Sequence, residues 1–464
     1  MERRGSRYRL VERYVVHDGC APLSDRVAHV VPADAEYVVF DLDRTIHLGI
    51  TIGERLGWEI TANPVPSETE ELHPIFSARA PLRSLGSLTR GFRYWFVAGS
   101  LYAMTVRLGD HWLAWHRSLM LTLGPGYVEN VQSILRAVLM ASAAGYSVEQ
   151  VATFCDRAWR RWQKRLVVDA DAVAAIRKSC PRLKAVLLSS ASTTPTVEHA
   201  AHKLGVDGFV SSAVDLYADG EQMVYSAPVG IPPGMRRRRP RFFSRPGAVV
   251  HNSAANKVRL LRMHYPEVFA PGSVSVGVTD NNYGEDRTWP DHFTHVIALN
   301  SRHPFSPFVV ADSPCASIQM VDALPAGASE LAREKALRWH GKLRAGVYDR
   351  GTLSMRFGEG EISRIEALLE QLRAARERAA EAVDASYRGS VATLSARVSD
   401  AVDRYNRASA RQKAAIAREL ARLSRTGRKM RARVARAGRE CARIQHEIER
   451  VHNEAARFLV TRES

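Results

Sequence analysis

The chain has 464 residues, of which 45% are hydrophobic, and its formal net charge is +17. This length predicts two or three domains, each with its own core, and the charge favours anionic partners: nucleic acid, anionic lipid headgroups or small phosphorylated substrates. The five cysteines lie far apart with no paired spacing, which argues against a zinc site or a disulfide framework and for a reducing, cytoplasmic environment.

We expect neither a secretion signal nor a membrane span from the hydropathy of this sequence. Residues 1–16 carry Arg or Glu every few positions, which interrupts any apolar run. The most apolar stretch, 92–108, is shorter than the ~20 residues that a spanning helix needs. We therefore expect no transmembrane segment, and we assign residues 1–35 to an N-terminal extension.

The first strong strand signal is the run EYVVFDLD at 36–43, which is β-branched and aromatic and ends in Asp41 and Asp43. Residues 51–180 then read as mostly helical, with aromatic and aliphatic side chains recurring every three or four positions. We expect a strand that delivers acids to its carboxyl end, followed by a large helical insertion.

After this insertion, strands and helices alternate as far as a third acid. These elements are predicted at about 184–189, 196–204, 208–210, 256–265 and 274–278. Their order predicts a parallel sheet, in which ligands lie beyond the carboxyl ends of the strands. Because Asp280 follows the last of these strands, it is expected to face the same pocket as Asp41.

Two basic regions lie outside these elements. The Pro-rich and Arg-rich stretch 230–246, which contains Arg236 to Arg245, predicts a loop whose binding role stays open. After a linker at 331–357, residues 358–464 are rich in Ala, Arg, Glu and Leu with a heptad rhythm, and predict a basic helical coiled coil. This coiled coil is either a hairpin or a self-associating unit, with Gly389 and the pair Thr426-Gly427 as the expected interruptions.

Four separated pieces resemble, in order, the four motifs of the haloacid dehalogenase (HAD) superfamily. They are Asp41-Leu-Asp43-Arg-Thr45, Ser190 with Ser189 as the alternative, Lys257, and Asp280. The resemblance implies an α/β, Rossmann-like parallel core at 36–50 and 181–330, with a helical cap at 51–180. Residues 145–164 and 190–192 resemble the phosphoserine phosphatase branch.

The same resemblance implies a Mg²⁺-dependent phosphomonoesterase for a small organic phosphate. Asp41 would be the nucleophile that forms an aspartyl-phosphate, and Asp43 the general acid and base. Phosphate oxygens would be held by the remaining polar motif residues, Thr45, Ser190 and Lys257. The Mg²⁺ ion would be bound by Asp41, Asp43 through its backbone carbonyl, and Asp280.

Three positions depart from the family pattern. Arg44 stands where a small residue is common, and Thr279 replaces a common glycine before the fourth-motif acid. A second acid is usual about four residues after Asp280, but position 284 is glycine, which leaves Glu285 or Asp286 for that role.

The sequence is also compatible with functions of other classes. One alternative is a scaffold or nucleic-acid-binding protein, in which a degenerate core is retained and the basic tail binds the partner. Another is a phosphatase that acts on nucleic-acid ends, with an active core and a tail that binds the nucleic acid. Residues 401–464 carry about ten more basic than acidic side chains, a surface for nucleic acid or anionic lipid. The substrate and the oligomeric state are not predicted.

Overall fold

The computed structural model describes residues 7–47, 56, 59–60, 146–212, 216–219, 222–225, 252, 255–280, 286–301, 304–328 and 345–407, with scattered positions between 412 and 459. Three predicted features lie outside the described residues: most of the cap, the basic loop with Arg236 to Arg245, and the interruption at Gly427. No helix within the described ranges is long and apolar enough to cross a bilayer.

Twelve strands are present in the described part of the chain. They are β1 (Tyr8–Leu10), β2 (Arg13–Ala21), β3 (Tyr37–Phe40), β4 (Ala185–Thr193), β5 (Gly208–Ser212), β6 (Leu216–Asp219), β7 (Gln222–Tyr225), β8 (Ser275–Thr279), β9 (His295–Leu299), β10 (Phe308–Val310), β11 (Ser317–Ala323) and β12 (Gly346–Asp349). Eight of them form one sheet in the order β12-β2-β11-β9-β8-β3-β4-β5. All neighbours in it are parallel except β12 and β2.

Seven α-helices with defined bounds accompany the strands in the described part of the chain. They are α1 (Leu23–Val30), α2 (Val148–Trp162), α3 (Ala170–Ser179), α4 (Thr194–Leu204), α5 (Ala255–His264), α6 (Arg350–Phe357) and α7 (Glu359–Arg407). Local sequence explains several of their ends. Ser147 and Gln150 form a reciprocal capping box at the start of α2, and α4 ends at Gly205, whose φ of 68° suits a residue without Cβ.

Both faces of the sheet are buried, as the continuous apolar strands predict. On β3, Val38 and Phe40 pack with α1, α3 and α4 in one cluster. Tyr37 and Val39 point to the opposite face, where α5, α6 and α7 pack in a second cluster. The predicted α/β fold with a mostly parallel, Rossmann-like sheet is therefore confirmed.

The sheet also takes in segments that the sequence analysis placed outside the core. Residues 1–35 contribute β2, which lies between β11 and β12, and α1, which packs beside α3. The predicted linker 331–357 contributes β12 and α6. The core therefore begins before residue 36 and continues after residue 330, beyond both predicted boundaries.

One prediction for the C-terminal region, a helix interruption at Gly389, differs from the structure. Helix α7 continues through Gly389, so the interruption expected there is wrong. A single glycine costs about 1 kcal/mol in a helix interior, which the neighbouring helix-forming residues outweigh.

Described positions beyond α7 contact both α7 and the core of the sheet. Arg404 on α7 donates to the Glu419 carboxylate at 2.9 Å, and Ala401 and Leu423 are both buried. Further along, apolar positions of the predicted heptad lie in the same cluster as the sheet, namely Ile444, Ile448, Val451 and Ala455. Residues 447–456 are helical. These contacts are those expected of a hairpin whose base, the described positions between 444 and 456, packs on the core.

Candidate active site

The loop after β3 carries two acids in different directions. The backbone N–H of Asp41 donates to the carbonyl of Val278 at 2.9 Å, which holds Asp41 at the sheet edge beside β8. The chain then turns through Arg44, whose φ of 69° is left-handed and costs a residue with a Cβ about 1–2 kcal/mol. Because of this turn, the side chains of Asp41 and Asp43 have separate sets of partners.

Lys257 on α5 holds the first acid. Its Nζ lies 2.6 Å from Oδ1 of Asp41 and 2.7 Å from Oδ1 of Asp286, and the side chain is 1% exposed. The ammonium group also lies 5.2 Å from the centre of the Trp289 ring. A lysine on the outside of a helix would be solvated, whereas Lys257 is buried between two carboxylates.

Thr45 brings the ends of β3 and β8 together. Its Oγ1 lies 3.1 Å from Oδ2 of Asp41 and 3.3 Å from Oδ1 of Asp280, and it accepts a hydrogen bond from the Asp280 N–H at 2.9 Å. The carboxylates of positions 41 and 280 thus share one hydroxyl, although 239 positions separate them in the chain. This hydroxyl is engaged by protein groups, and its predicted contact with phosphate stays a prediction.

Asp286 is one of the two acids, with Glu285, between which the sequence analysis left the role of the second acid open. Both of its oxygens are within 2.9 Å of Lys257 Nζ, and Thr279 donates its hydroxyl to Oδ2 at 2.7 Å. Glu285 lies outside the described residues. The sequence analysis noted two departures here: Thr279 in place of a glycine, and glycine at position 284 in place of an acid. The two are linked in the structure, because Thr279 donates its hydroxyl to Asp286, an acid two positions after 284.

Asp43 is oriented by two serines. Its Oδ2 accepts from the hydroxyl of Ser192 at 2.5 Å and lies 3.4 Å from that of Ser190. Ser192 was missed in the sequence analysis. The signal for it is the spacing of two residues, because alternate side chains of an extended strand point to the same side.

Asn252 is a second residue that the sequence analysis missed. Its Nδ2 lies 2.9 Å from the carbonyls of Ser190 and Val210 and 3.2 Å from Oγ of Ser189. The amide therefore ties the ends of β4 and β5 together behind Ser190. Ser189 points toward Asn252, so of the two alternatives it is Ser190 that faces Asp43.

The site holds more negative than positive charge. Burial raises the pKa of Asp41 well above its usual range; Lys257 opposes this, while Asp286, Asp280 and Asp43 add to it. Burial and the neighbouring Asp286 raise the pKa of Asp280 to about 7, against the attraction of Arg44. A cation beside these acids would lower both pKa values and keep the carboxylates ionised.

Mg²⁺ is compatible with this set of donors. Carboxylate oxygens are hard ligands of the kind that Mg²⁺ prefers, and the ion usually retains several waters. Among the described residues, no three His, Cys, Asp or Glu side chains are placed to bind one ion. The side chains of Asp41 and Asp280 would therefore need backbone or water oxygens to complete the coordination.

Comparison with known proteins gives matches to solved structures alone, since no family model and no curated protein matches the chain. A protein of unknown function from Bordetella pertussis Tohama I is 15% identical with a TM-score of 0.34, over 57% of this chain and 91% of that one. A HAD family hydrolase from Salmonella enterica serovar Typhi is 13% identical with a TM-score of 0.33, over 58% and 64%. A probable phosphoserine phosphatase from Vibrio cholerae is 13% identical with a TM-score of 0.33, over 68% and 71%.

The structural neighbours of this chain thus include HAD hydrolases and phosphoserine phosphatases. The similarity is one of fold and is weak. What the site can do chemically follows from its own contacts.

Proposed function

We propose that this chain is a phosphomonoesterase of the HAD type, which transfers the phosphoryl group of an organic phosphate to Asp41 and then to water. The observation that carries the proposal is the buried ion pair of Lys257 and Asp41 at 2.6 Å, beside the acids at positions 280 and 286. Asp41 follows the carboxyl end of β3 beside that of β8, and open α/β sheets bind their ligands beyond the carboxyl ends of the strands.

In the first step, a carboxylate oxygen of Asp41 attacks phosphorus. Lys257 keeps this carboxylate in place through Oδ1, and Thr45 lies beside Oδ2. As negative charge develops on the phosphoryl oxygens, the buried ammonium group of Lys257 offsets it more strongly than a solvated lysine would. The leaving alcohol needs a proton in the same step.

Asp43 would supply that proton and later remove one from the attacking water. Ser192 and Ser190 bind one of its oxygens, Oδ2, and so orient the carboxyl group. A general acid with a fixed orientation can deliver its proton to the leaving oxygen and then act as a base for the second step.

A Mg²⁺ ion would be held by Asp41 and Asp280, with the backbone carbonyl of Asp43. When bound, it supplies positive charge that screens the acids from the phosphate and polarises a phosphoryl oxygen. Substrate choice depends on the cap, most of which lies outside the described residues, and the proposed substrate is therefore a class, a small organic phosphate.

A panel of phosphorylated metabolites tests this function. Wild-type protein should release phosphate from at least one ester in Mg²⁺, and EDTA should abolish the release. Asp41→Asn should lower kcat by at least about 10³-fold because the amide is a poor nucleophile. Asp171→Asn, an exposed acid at the start of α3, serves as the matched control and should behave as wild type. Equal activity of Asp41→Asn and wild type would reject the mechanism.

A further inference from the structure

His47 lies four positions after Asp43, on a segment whose backbone is held in place. The carbonyl of Ile46 accepts from the N–H of Val167 at 2.7 Å, and His47 forms an isolated antiparallel bridge with Leu166. These backbone contacts do not depend on which side chain stands at position 47. A substitution there can therefore change the side chain and leave the contacts that hold the segment.

The imidazole ring of His47 is buried beside Asp43. The side chain is 2% exposed, and its Nε2 lies 3.9 Å from Oδ1 of Asp43. Nε2 is shielded from solvent and makes no hydrogen bond with any described residue. A buried ring nitrogen in this state is uncommon, because it has lost its contacts with water without gaining others. The nitrogen thus lies next to the acid that the proposed mechanism uses for proton transfer.

The two oxygens of Asp43 have different surroundings. Oδ2 accepts from the hydroxyl of Ser192 at 2.5 Å and lies 3.4 Å from that of Ser190. Each carboxylate oxygen has two lone-pair sites, so the two serine hydroxyls match those of Oδ2. Of the two sites on Oδ1, one carries the proton that passes to the leaving group. The other can accept from His47, because Oδ1 is the oxygen that lies near its Nε2.

We propose that His47 is a positioning residue for Asp43, whose Nε2–H donates to Oδ1 when substrate is bound. The inference rests on the proposed function, in which Asp43 is the general acid. At 3.9 Å the two atoms are too far apart for a hydrogen bond. Catalytic hydrogen bonds are, however, often long in the free enzyme and tighten in the substrate complex. A donor on each oxygen fixes the plane of the carboxyl group, which Ser192 alone does not.

This contact matters for leaving groups that need a proton. The bond from Asp41 to phosphorus forms as the bond from phosphorus to the leaving oxygen breaks, and an alkoxide must then receive the Asp43 proton. A p-nitrophenolate, by contrast, leaves as a stable anion. Loss of the His47 donor would misplace the proton and leave the nucleophile and Lys257 as they are. A purely structural role of His47 would affect both kinds of ester alike.

Two esters of similar size separate these cases: benzyl phosphate, an alkyl ester, and p-nitrophenyl phosphate, an aryl ester. The measured quantity is kcat/KM, because it includes the departure of the leaving group but not the later hydrolysis of the aspartyl-phosphate. In the full-length protein with Mg²⁺, His47→Leu and His47→Phe should each lower kcat/KM for benzyl phosphate about tenfold, and for p-nitrophenyl phosphate less than about twofold. His47→Gln, whose amide can donate from a similar position, should recover most of the loss.

His295→Gln is the matched control, since His295 is a partly buried histidine on β9 whose Nδ1 lies 2.7 Å from Oγ of Ser317. It should change kcat/KM for the two esters by the same factor. If His47→Leu does not fold, His47→Phe, which keeps a planar ring, carries the test. The proposal is overturned by an equal loss on both esters, by no loss on either, or by a loss in His47→Gln as large as that in His47→Phe.

Unfolding in urea provides a readout that does not need activity. The midpoint shift of the double variant His47→Phe, Asp43→Asn should differ from the sum of the two single shifts, because both substitutions remove one contact. His295→Gln combined with Asp43→Asn should give additive shifts. If the wild type hydrolyses no phosphate ester but this coupling is present, the proposed function fails and the contact of His47 with Asp43 stands. Additive shifts in both pairs would show that the contact does not exist, whatever the activity.

Discussion

The charge of Lys257, buried between the carboxylates of Asp41 and Asp286, can be removed to test whether stability and activity require it. Lys257→Met keeps the packing against Trp289 but leaves Asp41 and Asp286 without their cation. We expect stability to fall by about 3–5 kcal/mol, the usual cost of breaking a buried pair, and activity to be lost. Denaturant unfolding and phosphate release measure the two effects.

Lys203→Met is the control for that substitution. Lys203 pairs with Asp156 at 3.0 Å on a partly exposed surface, and such pairs contribute at most about 1 kcal/mol. If the two methionine variants lost equal stability, the special environment of Lys257 would be refuted.

A second prediction at this scale concerns the hydroxyl of Thr279. Thr279→Val removes its 2.7 Å hydrogen bond to Asp286 while it keeps nearly the same shape. We expect a loss of about 1–3 kcal/mol, because a buried carboxylate oxygen loses a donor. Thr279→Ser retains the hydroxyl and should be closer to wild type in chemical denaturation. A valine variant as stable as the serine variant would show that the bond contributes nothing.

Single residues also show what sequence can and cannot predict. The positions of Asp41 and Asp280 followed from strands that end in acids, which is a local pattern. Asn252 and Ser192 were missed because their roles depend on which chain ends meet: Asn252 bonds to Val210, 42 positions earlier. No local sequence pattern shows which distant segments lie side by side in the fold.

Among the secondary-structure elements, strand β8 needs a glycine at position 277. A Cβ there would lie 2.6 Å from Cε3 of Trp289 and 3.1 Å from Phe293, both buried rings. Gly277→Ala should therefore cost about 1–3 kcal/mol through overpacking and should disturb the ring beneath Lys257. Circular dichroism melting curves measure the change.

Gly360→Ala is the matched substitution for this element. Gly360 is the second residue of α7 and has nothing within 4 Å of its ideal Cβ, and alanine favours a helix over glycine by up to about 1 kcal/mol. We expect unchanged or slightly higher stability. If Gly277→Ala and Gly360→Ala had the same Tm, β8 and Trp289 would not be in close contact.

The predicted elements were accurate where the pattern was strong. The helix expected at 196–204 is α4, Thr194–Leu204, and the strand expected at 274–278 is β8, Ser275–Thr279. Strand β2 was missed because His17, Asp18 and Gly19 interrupt its apolar alternation. Its neighbours β11 and β12 supply the pairing that its own sequence does not indicate.

For the whole molecule, the hairpin base should be part of one cooperative unit with the sheet. Ile448 lies in the same cluster as Ile318 of β11, so Ile448→Ala should create a cavity and cost about 2–5 kcal/mol in the main unfolding transition. Met355→Ala, at a side chain 80% exposed, should change stability by less than about 0.5 kcal/mol. A separate early transition in Ile448→Ala would mean that the tail unfolds independently.

The tail also shows the limit of periodicity at this scale. A heptad stripe predicts that one helix face is buried, but not the surface that covers it. In the hairpin base, that surface includes the sheet cluster with Trp289 and Phe293. Self-association of the chain through this stripe remains a prediction.

The proposed bond between phosphorus and Asp41 can be tested by chemical trapping. Protein quenched during turnover of an active ester in Mg²⁺ is treated with borohydride, which reduces an acyl phosphate to the alcohol, and the peptides are then sequenced by mass spectrometry. We predict conversion of Asp41 to homoserine, with Asp43 and Asp286 unchanged and no conversion in Asp41→Asn. Turnover with the reduced residue at any position other than 41 would contradict Asp41 as the nucleophile.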